Sequence, residues 1–415
     1  MILRIWKNNF SVFLPNSPHK KRFFIPIFTE NSSLNMKKAA LLFIGLIISL
    51  SSFSQQITIG DNKGAVTFEE YDPKSTLVVD KNPKIRSKYP FIDVHNHQYA
   101  MGESKDNVEK LIPEMDKLNM RILVNLSGRG WTKDSEKATK TLNDNVTNSK
   151  LYPGRFAIFT NVDFDAINET GWSEKAAKIL EEDVKLRGAV GLKIYKNLGF
   201  SVKNSDGSLV RVDDPRIDAV WAKAGELGIP VIIHSADPAS FWEPLNQFNE
   251  RWLELKTHPG RKKDVAKGDF GFEEIIAQQH NIIRKHKGTK FISAHMGWYP
   301  NNLGKLDSLL TAMPNMYVEI GAVIAEIGRQ PRTSNKFFTK WQDRILFGKD
   351  SWVPSEYATY FRVLETEDEY FQYHKKYHAF WPMYGIGLSD DVLKKVYYKN
   401  ALKIIPRLDK SGFPE

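Results

Sequence analysis

Phe91-Ile92-Asp93-Val94-His95-Asn96-His97 is the stretch on which the reading of this chain turns. Apolar residues surround Asp93 and lead into two histidines with one residue between them. In an extended strand side chains alternate faces, so His95 and His97 point the same way, about 7 Å apart along the backbone. Two imidazoles converging at one strand end suit a divalent metal such as zinc, which takes histidine nitrogen at about 2.0–2.1 Å. A His-x-His pair alone also occurs on ordinary surfaces, so its weight depends on whether later strands bring further ligands.

From residue 89 onward, short β-branched runs alternate with longer amphipathic stretches, the rhythm of βα units around a parallel sheet. Eight runs read as strands: 91–95, 121–126, 156–162, 189–195, 230–234, 290–295, 316–320 and 344–347. Helical patterns lie between them, for example 174–186 and 218–227, the latter stopped by Gly228. Eight repeats over roughly 300 residues predict a (β/α)8 barrel rather than an open doubly wound sheet. Two stretches exceed a minimal barrel: 235–288 after the fifth strand and 351–384 after the eighth, both rich in Phe, Tyr and Trp. Loops at the carboxyl ends of barrel strands build active sites, so these insertions are expected to act as lids or pocket walls. Most of their aromatics are expected to pack against one another.

Before the barrel, residues 36–54 read as a secretory signal. Met36-Lys37-Lys38 is a short positive segment, 39–50 is an apolar run, and Ser52-Phe53-Ser54 offers a small-x-small cleavage site before Gln55. The run is too short for a comfortable permanent span. The expectation is therefore a periplasmic or secreted protein with no stable membrane insertion after cleavage. Residues 1–35 would be unusual ahead of such a signal, and translation is expected to begin at Met36. Residues 55–88 read as an N-terminal arm, 89–406 as the barrel and 407–415 as a tail. Residues 1–54 carry seven of the 59 Lys and Arg but one of the 49 acids, so much of the formal +10 belongs to the leader. The remainder is nearly balanced and has no basic stripe, which excludes nucleic acid as a partner. With no cysteine, neither disulfides nor thiolate ligands enter.

Further polar residues close the later strands. The fifth ends Val231-Ile232-Ile233-His234, the sixth Phe291-Ile292-Ser293-Ala294-His295, and the eighth leads through Phe347-Gly348-Lys349 to Asp350; Lys193 sits in the fourth. Singly, each has an ordinary reading: a hydrogen-bonded core histidine, a helix-capping aspartate, a lysine paired with Asp163 or Glu319. Together they fall at successive strand ends around one barrel mouth. Candidate substrate contacts are Arg129 and Trp131 after the second run, Tyr195 after the fourth and Trp298 after the sixth. Arg329 and Arg332 follow the seventh. An arginine clamps a carboxylate by two parallel hydrogen bonds, although a plain salt bridge is its commoner role.

This order of ligands resembles the amidohydrolase superfamily, and the segments VIIHSAD, FISAHMG and ILFGKDS resemble its amidohydrolase-related branch of TIM-barrel enzymes. The resemblance implies that His95, His97, His234 and Asp350 hold one divalent ion, most simply Zn2+. It implies that Asp350 acts as base towards the attacking water and that His295 polarises the substrate or serves as acid. In two-ion relatives a carboxylated lysine in the fourth strand bridges the ions, with the sixth-strand histidine on the second. Lys193 and His295 match those positions, and a single ion is favoured by analogy with the branch. The resemblance and the leader together imply an exported hydrolase of a small amide, ester or lactone. A non-oxidative decarboxylase on the same site is the alternative, followed by a non-catalytic metal-binding barrel. Aromatic insertions of this kind often join barrels into homo-oligomers.

Overall fold

The computed structural model describes residues 66–67, 69–132 and 134–414. The leader reading of 1–54 and the first part of the 55–88 arm lie outside the described residues. Contacts divide the chain at Pro73. Of the smaller unit, the described part is a short turn in which Thr67 N–H donates to Glu70 Oε2 at 3.1 Å. The larger unit, from Lys74, carries the arm and the barrel.

Eight strands form the barrel: β1 (Phe91–Asn96), β2 (Met120–Asn125), β3 (Phe156–Asn161), β4 (Gly191–Ile194), β5 (Val231–Ile233), β6 (Phe291–Ser293), β7 (Met316–Glu319) and β8 (Ile345–Leu346). They are hydrogen-bonded in sequence order, every pair parallel. Beyond β8, Val94 N–H donates to Phe347 O at 3.0 Å, Asp350 N–H donates to His95 O at 2.6 Å, and Asn96 bridges to Asp350. These contacts bring the last strand back to the first and make the TIM barrel. The strands match the eight sequence runs because a strand covered on both faces must be apolar almost throughout. From β3 onward each strand is shorter than its run, since terminal residues turn into the loops that carry the site.

The helices pack their apolar stripes on the outside of this sheet. Trp172–Lys185 buries Trp172, Ala176, Leu180 and Val184. Asp218–Glu226 buries Val220, Trp221 and Ala224, and the chain leaves it through Gly228 at φ +67°. That left-handed position favours glycine. The insertion boundaries need correction. Phe272–Lys285, inside 235–288, buries Ile275, Ile276, Ile282 and Ile283 and is the barrel helix between β5 and β6. Tyr357–Glu365, inside 351–384, is likewise a packed helix whose Tyr357, Tyr360 and Phe361 are buried. Phe361 and Phe91 have ring centroids 5.4 Å apart, and Phe347 lies 4.8 Å from Phe91. The aromatics of 351–384 thus supply core beneath the β1–β8 junction.

The described part of the arm is held down by polar contacts. Asn82 donates from N and Nδ2 to Asp368 at 2.6 and 2.7 Å, and Asp368 also accepts from Arg362 Nε at 2.7 Å. Among the described residues, no helix is long and apolar enough to cross a membrane.

Inside the barrel, space is set to fractions of an ångström. A Cβ on Gly191 would lie 2.2 Å from the Phe159 ring, so β4 reaches β3 only because this position has no side chain. Gly191→Ala is expected to cost about 1–3 kcal/mol through overpacking. It should lower the melting temperature by several degrees in a thermal unfolding scan.

Candidate metal centre

The polar strand ends meet at the carboxyl-terminal mouth. His95 is fully buried, and its Nδ1 lies 3.0 Å from Glu319 Oε1 at the end of β7. Ionised carboxylates only accept, so Nδ1 carries a proton and Nε2 faces the barrel interior. That Nε2 lies 3.2 Å from Asp350 Oδ1 and 3.3 Å from Lys193 Nζ. His97 places its Nε2 3.5 Å from the same Asp350 oxygen and its Nδ1 2.8 Å from Ser127 Oγ. His95, His97 and Asp350 therefore aim three ligand atoms at one small volume.

Burial holds His97 down to about 4, despite the opposing pull of Asp350, so its ring is neutral. Burial and Lys193 push His95 down, but Glu319 and Asp350 together outweigh them and raise it. Asp350 is held well below the usual carboxylate range: burial raises it, but His95, His97 and His295 outweigh that. The raised pKa favours a second proton on His95, shared between Nε2 and Asp350 Oδ1 3.2 Å away, and a divalent cation would take that proton's place between the same atoms. Two imidazole nitrogens and a carboxylate oxygen in this relation fit a divalent cation, by donor type and by electrostatics.

His234 stands apart from that group. Its Nε2 lies 2.8 Å from Ala236 O, which fixes the proton there and turns Nδ1 inward, 3.3 Å from His295 Nε2. His295 Nδ1 in turn donates to Gly321 O at 2.7 Å. Burial first of all lowers both histidines, His234 strongly. Two neutral rings thus point bare nitrogens at each other, a place where a shared cation relieves repulsion. Of the four residues expected to hold one ion, His95, His97 and Asp350 lie together and His234 faces His295. The acid role expected for His295 also changes, because its inward Nε2 is an acceptor when the ring is neutral.

Lys193 occupies the inner face of β4, is 1 % exposed, and is pushed down to about 8 by burial against the attraction of Asp350 and Glu319. Its neighbour is therefore His95, with Glu319 close enough to act on it. Trp298 packs on both His295 and His234, with ring centroids 4.6 and 5.5 Å apart. It also lines a cavity of about 330 Å³ with Ser240, Arg251, Asn301, Glu326 and Arg329. Tyr195 stacks on His97 at 5.6 Å and shares a hydrogen bond with Ser127 at 3.0 Å.

Two arginines read as substrate clamps are committed elsewhere. Arg129 is buried; its Nη1 donates to both Asp183 oxygens at 2.9 and 2.8 Å and its Nη2 to Thr139 Oγ1 at 2.9 Å. It is an internal anchor with no fork left for a ligand. Arg329 is paired with Glu250 at 2.8 Å and lies over the Trp381 ring.

Glu319 is the residue the sequence reading underrated, treating it as no more than a partner for Lys193. It is fully buried and accepts from His95 Nδ1, from His295 N–H at 2.6 Å and from Gly321 N–H at 2.6 Å. Burial raises its pKa, but the His95 and His295 interactions prevail and hold it down at about 2. Its one sequence signal was an acid closing an apolar strand. Asp93 performs a related task in β1, accepting from His95 N–H and Lys349 N–H at 3.0 and 3.1 Å.

The family model described as amidohydrolase, Amidohydro_2, matches residues 92–407. The chain belongs to that family. Solved structures are also similar to this amidohydrolase. A dihydroxybenzoic acid decarboxylase from Polaromonas sp. JS666, solved with manganese and 2-nitroresorcinol, is 18 % identical with a TM-score of 0.50, over 76 % of this chain and 96 % of that one. A 2,6-dihydroxybenzoate decarboxylase from Rhizobium is 16 % identical with a TM-score of 0.47, over 76 % and 98 %. A 4-oxalomesaconate hydratase from Rhodopseudomonas palustris is 15 % identical with a TM-score of 0.47, over 77 % and 96 %. Among curated proteins none matches in sequence.

A carboxylate that orients a ligand histidine typically accounts for 10–100-fold of metal affinity. Glu319→Gln is expected to weaken metal binding by about that factor, with His95 free to rotate. Competition with a metallochromic chelator measures it.

Proposed function

We propose that this amidohydrolase is an exported, divalent-metal-dependent hydrolase of small amides, esters or lactones. The observation that carries the reading is Asp350 Oδ1 set against both His95 Nε2 and His97 Nε2, at 3.2 and 3.5 Å, on a side chain that remains 35 % exposed at the barrel mouth. A carboxylate so placed is ionised, reachable by water and anchored to the nitrogens that would hold a metal. The ion supplies Lewis acidity towards the substrate oxygen and towards water.

The chain's own groups supply the remaining chemistry. Asp350 takes the proton from the attacking water and returns it to the departing nitrogen or oxygen. Lys193, buried beside His95, offsets negative charge that develops on the carbonyl oxygen. His295 serves through the lone pair on Nε2, as a ligand or proton acceptor, with Nδ1 locked on Gly321. Trp298 and Tyr195 form apolar walls on either side and limit the water that reaches the centre.

Two candidate ligand groups that share His95, one with His97 and Asp350 and one with His295 and Glu319, support the two-ion alternative over the single ion favoured from sequence. In that alternative the Lys193 amine, deprotonated, adds carbon dioxide and loses a proton to become a carbamate ligand. A pKa lowered to about 8 makes the neutral amine available for that addition. The identity of the ion, Zn2+ or another divalent metal, belongs to the same proposal.

The full chain, freed of metal by chelation and reloaded with Zn2+ or Mn2+ in bicarbonate buffer, tests the reading. Elemental analysis of two equivalents per chain is expected, with loss of one on Lys193→Ala. Hydrolysis of a panel of simple esters, lactones and amides should vanish on chelation and return on reloading. Asp350→Asn should lower kcat by about 10²–10⁴. Unchanged turnover in that variant, or release of carbon dioxide from a hydroxybenzoate with no ester cleavage, would overturn hydrolysis, the latter in favour of decarboxylation. Export is checked separately: amino-terminal sequencing of protein recovered from outside the cytoplasm should begin at Gln55.

A further inference from the structure

The loop after β2 is fixed far more firmly than its surface position requires. Gly128 N–H donates to Phe159 O at 3.1 Å, and a Cβ at this glycine would lie 2.1 Å from that same oxygen. Asn145 Nδ2 donates to Gly128 O at 2.9 Å. Arg129 N–H donates to Asn161 Oδ1 at 3.1 Å, while its guanidinium is held by Asp183 and Thr139. Gly130 then turns through φ +68°, closed by its N–H to Ser127 O at 3.0 Å. Gly128 and Arg129 are thus pinned to β3 and to two neighbouring helices, and Gly130 is closed on Ser127.

The next residue is Trp131, and it is 68 % exposed. One edge of its indole meets the Tyr195 ring, with centroids 4.8 Å apart and planes at 76°. Tyr195 stacks on His97, and Tyr99, itself 50 % exposed, also stacks on His97 at 5.7 Å and 9°. Trp131, Tyr195, His97 and Tyr99 thus form one aromatic cluster that includes a residue of the proposed metal centre, and Trp131 and Tyr99 are its exposed rings. A tryptophan buries 150–250 Å² when covered, so an indole held outward on a braced loop leaves much stacking area unused. A rigid aromatic already in its binding orientation loses little entropy when a ring settles on it.

We infer that Trp131, with Tyr99, forms a stacking subsite for an aryl group carried by the substrate of this centre. The inference rests on the reading of the centre as a small-molecule site and adds the class of substituent it selects. Arg129, expected from sequence to hold a substrate carboxylate, is instead the anchor that aims Trp131.

The test uses the metal-loaded full chain and two neutral probes of similar size, benzyl alcohol and cyclohexylmethanol. Dissociation constants are read from the shift of the Trp131 indole N–H resonance in wild type, and from saturation-transfer signals in wild type, Trp131→Ala and Trp131→Phe. Wild type should bind the aryl probe about tenfold more tightly than the saturated one. Trp131→Ala should abolish that preference, and Trp131→Phe should keep most of it. Equal binding of the two probes by wild type, an unchanged preference in Trp131→Ala, or no binding of either would overturn the subsite. Thermal scans of both variants confirm that the fold is retained. The two readings fail differently: a preference for benzyl alcohol without cleavage of any ester removes hydrolysis and keeps the subsite. Cleavage of ethyl and phenyl acetate with equal KM in wild type and Trp131→Ala removes the subsite and keeps hydrolysis.

Discussion

The Glu319 carboxylate is the constraint around which the mouth of this barrel is organised. Among the described residues it has no lysine or arginine salt bridge, and three N–H groups satisfy it. One fixes the tautomer of His95, the second ties down the backbone at His295, and the third holds the turn after β7. Room for it comes from glycine: a Cβ on Gly348 would lie 2.3 Å from Glu319 Oε2, and one on Gly321 2.7 Å. A buried carboxylate costs several kcal/mol unless its lone pairs are met, so this hydrogen-bond set and the two glycines form one unit. His95 Nε2 faces Asp350 because Glu319 holds the opposite nitrogen.

The electrostatics of the centre follow from that arrangement. Two carboxylates, the buried Glu319 and the partly exposed Asp350, lie on either side of His95, and Lys193 is the buried cation beside them. Burial opposes every one of these charges, and their mutual attraction keeps the acids ionised. Such a cluster is stable as a set and costly in part, because removing one charge leaves its partner desolvated. The same logic explains why the uncharged rings of His97 and Tyr195 lie towards the mouth, where no carboxylate other than Asp350 needs to be matched.

Much of the architecture was legible in the chain. Strands enclosed on both faces must be apolar, and a polar residue at the end of such a run stands out, which is how His95, His97, Lys193, His234, His295 and Asp350 were found. Partner choice was not legible. Nothing near Arg129 in sequence announces Asp183, 54 residues away and buried in a helix. The tautomer of His234 is decided by the carbonyl of Ala236, a backbone group that carries no sequence signature. Glu319 was discounted because an acid at a strand end is common and its three partners come from different segments. The insertions were drawn too long because the aromatic content of 351–384 and the length of 235–288 hid two ordinary amphipathic helices.

The backbone after β6 gives the centre an unusual mechanical character. His295, Met296, Gly297 and Trp298 have φ of 57°, 56°, 59° and 60°, a left-handed turn built mostly from residues that resist it. Each non-glycine residue in that conformation costs about 1–2 kcal/mol relative to the right-handed form. The turn brings the His295 and Trp298 rings together, with centroids 4.6 Å apart and planes tilted by 39°. It also means that the segment behaves as a wound spring, latched by Glu319 at the backbone of His295 and by Gly321 at its ring. If the latch opens, the chain relaxes towards the right-handed basin and withdraws the histidine and the tryptophan together. The chemistry of the mouth and the wall of the neighbouring cavity would then appear and disappear as a single cooperative event.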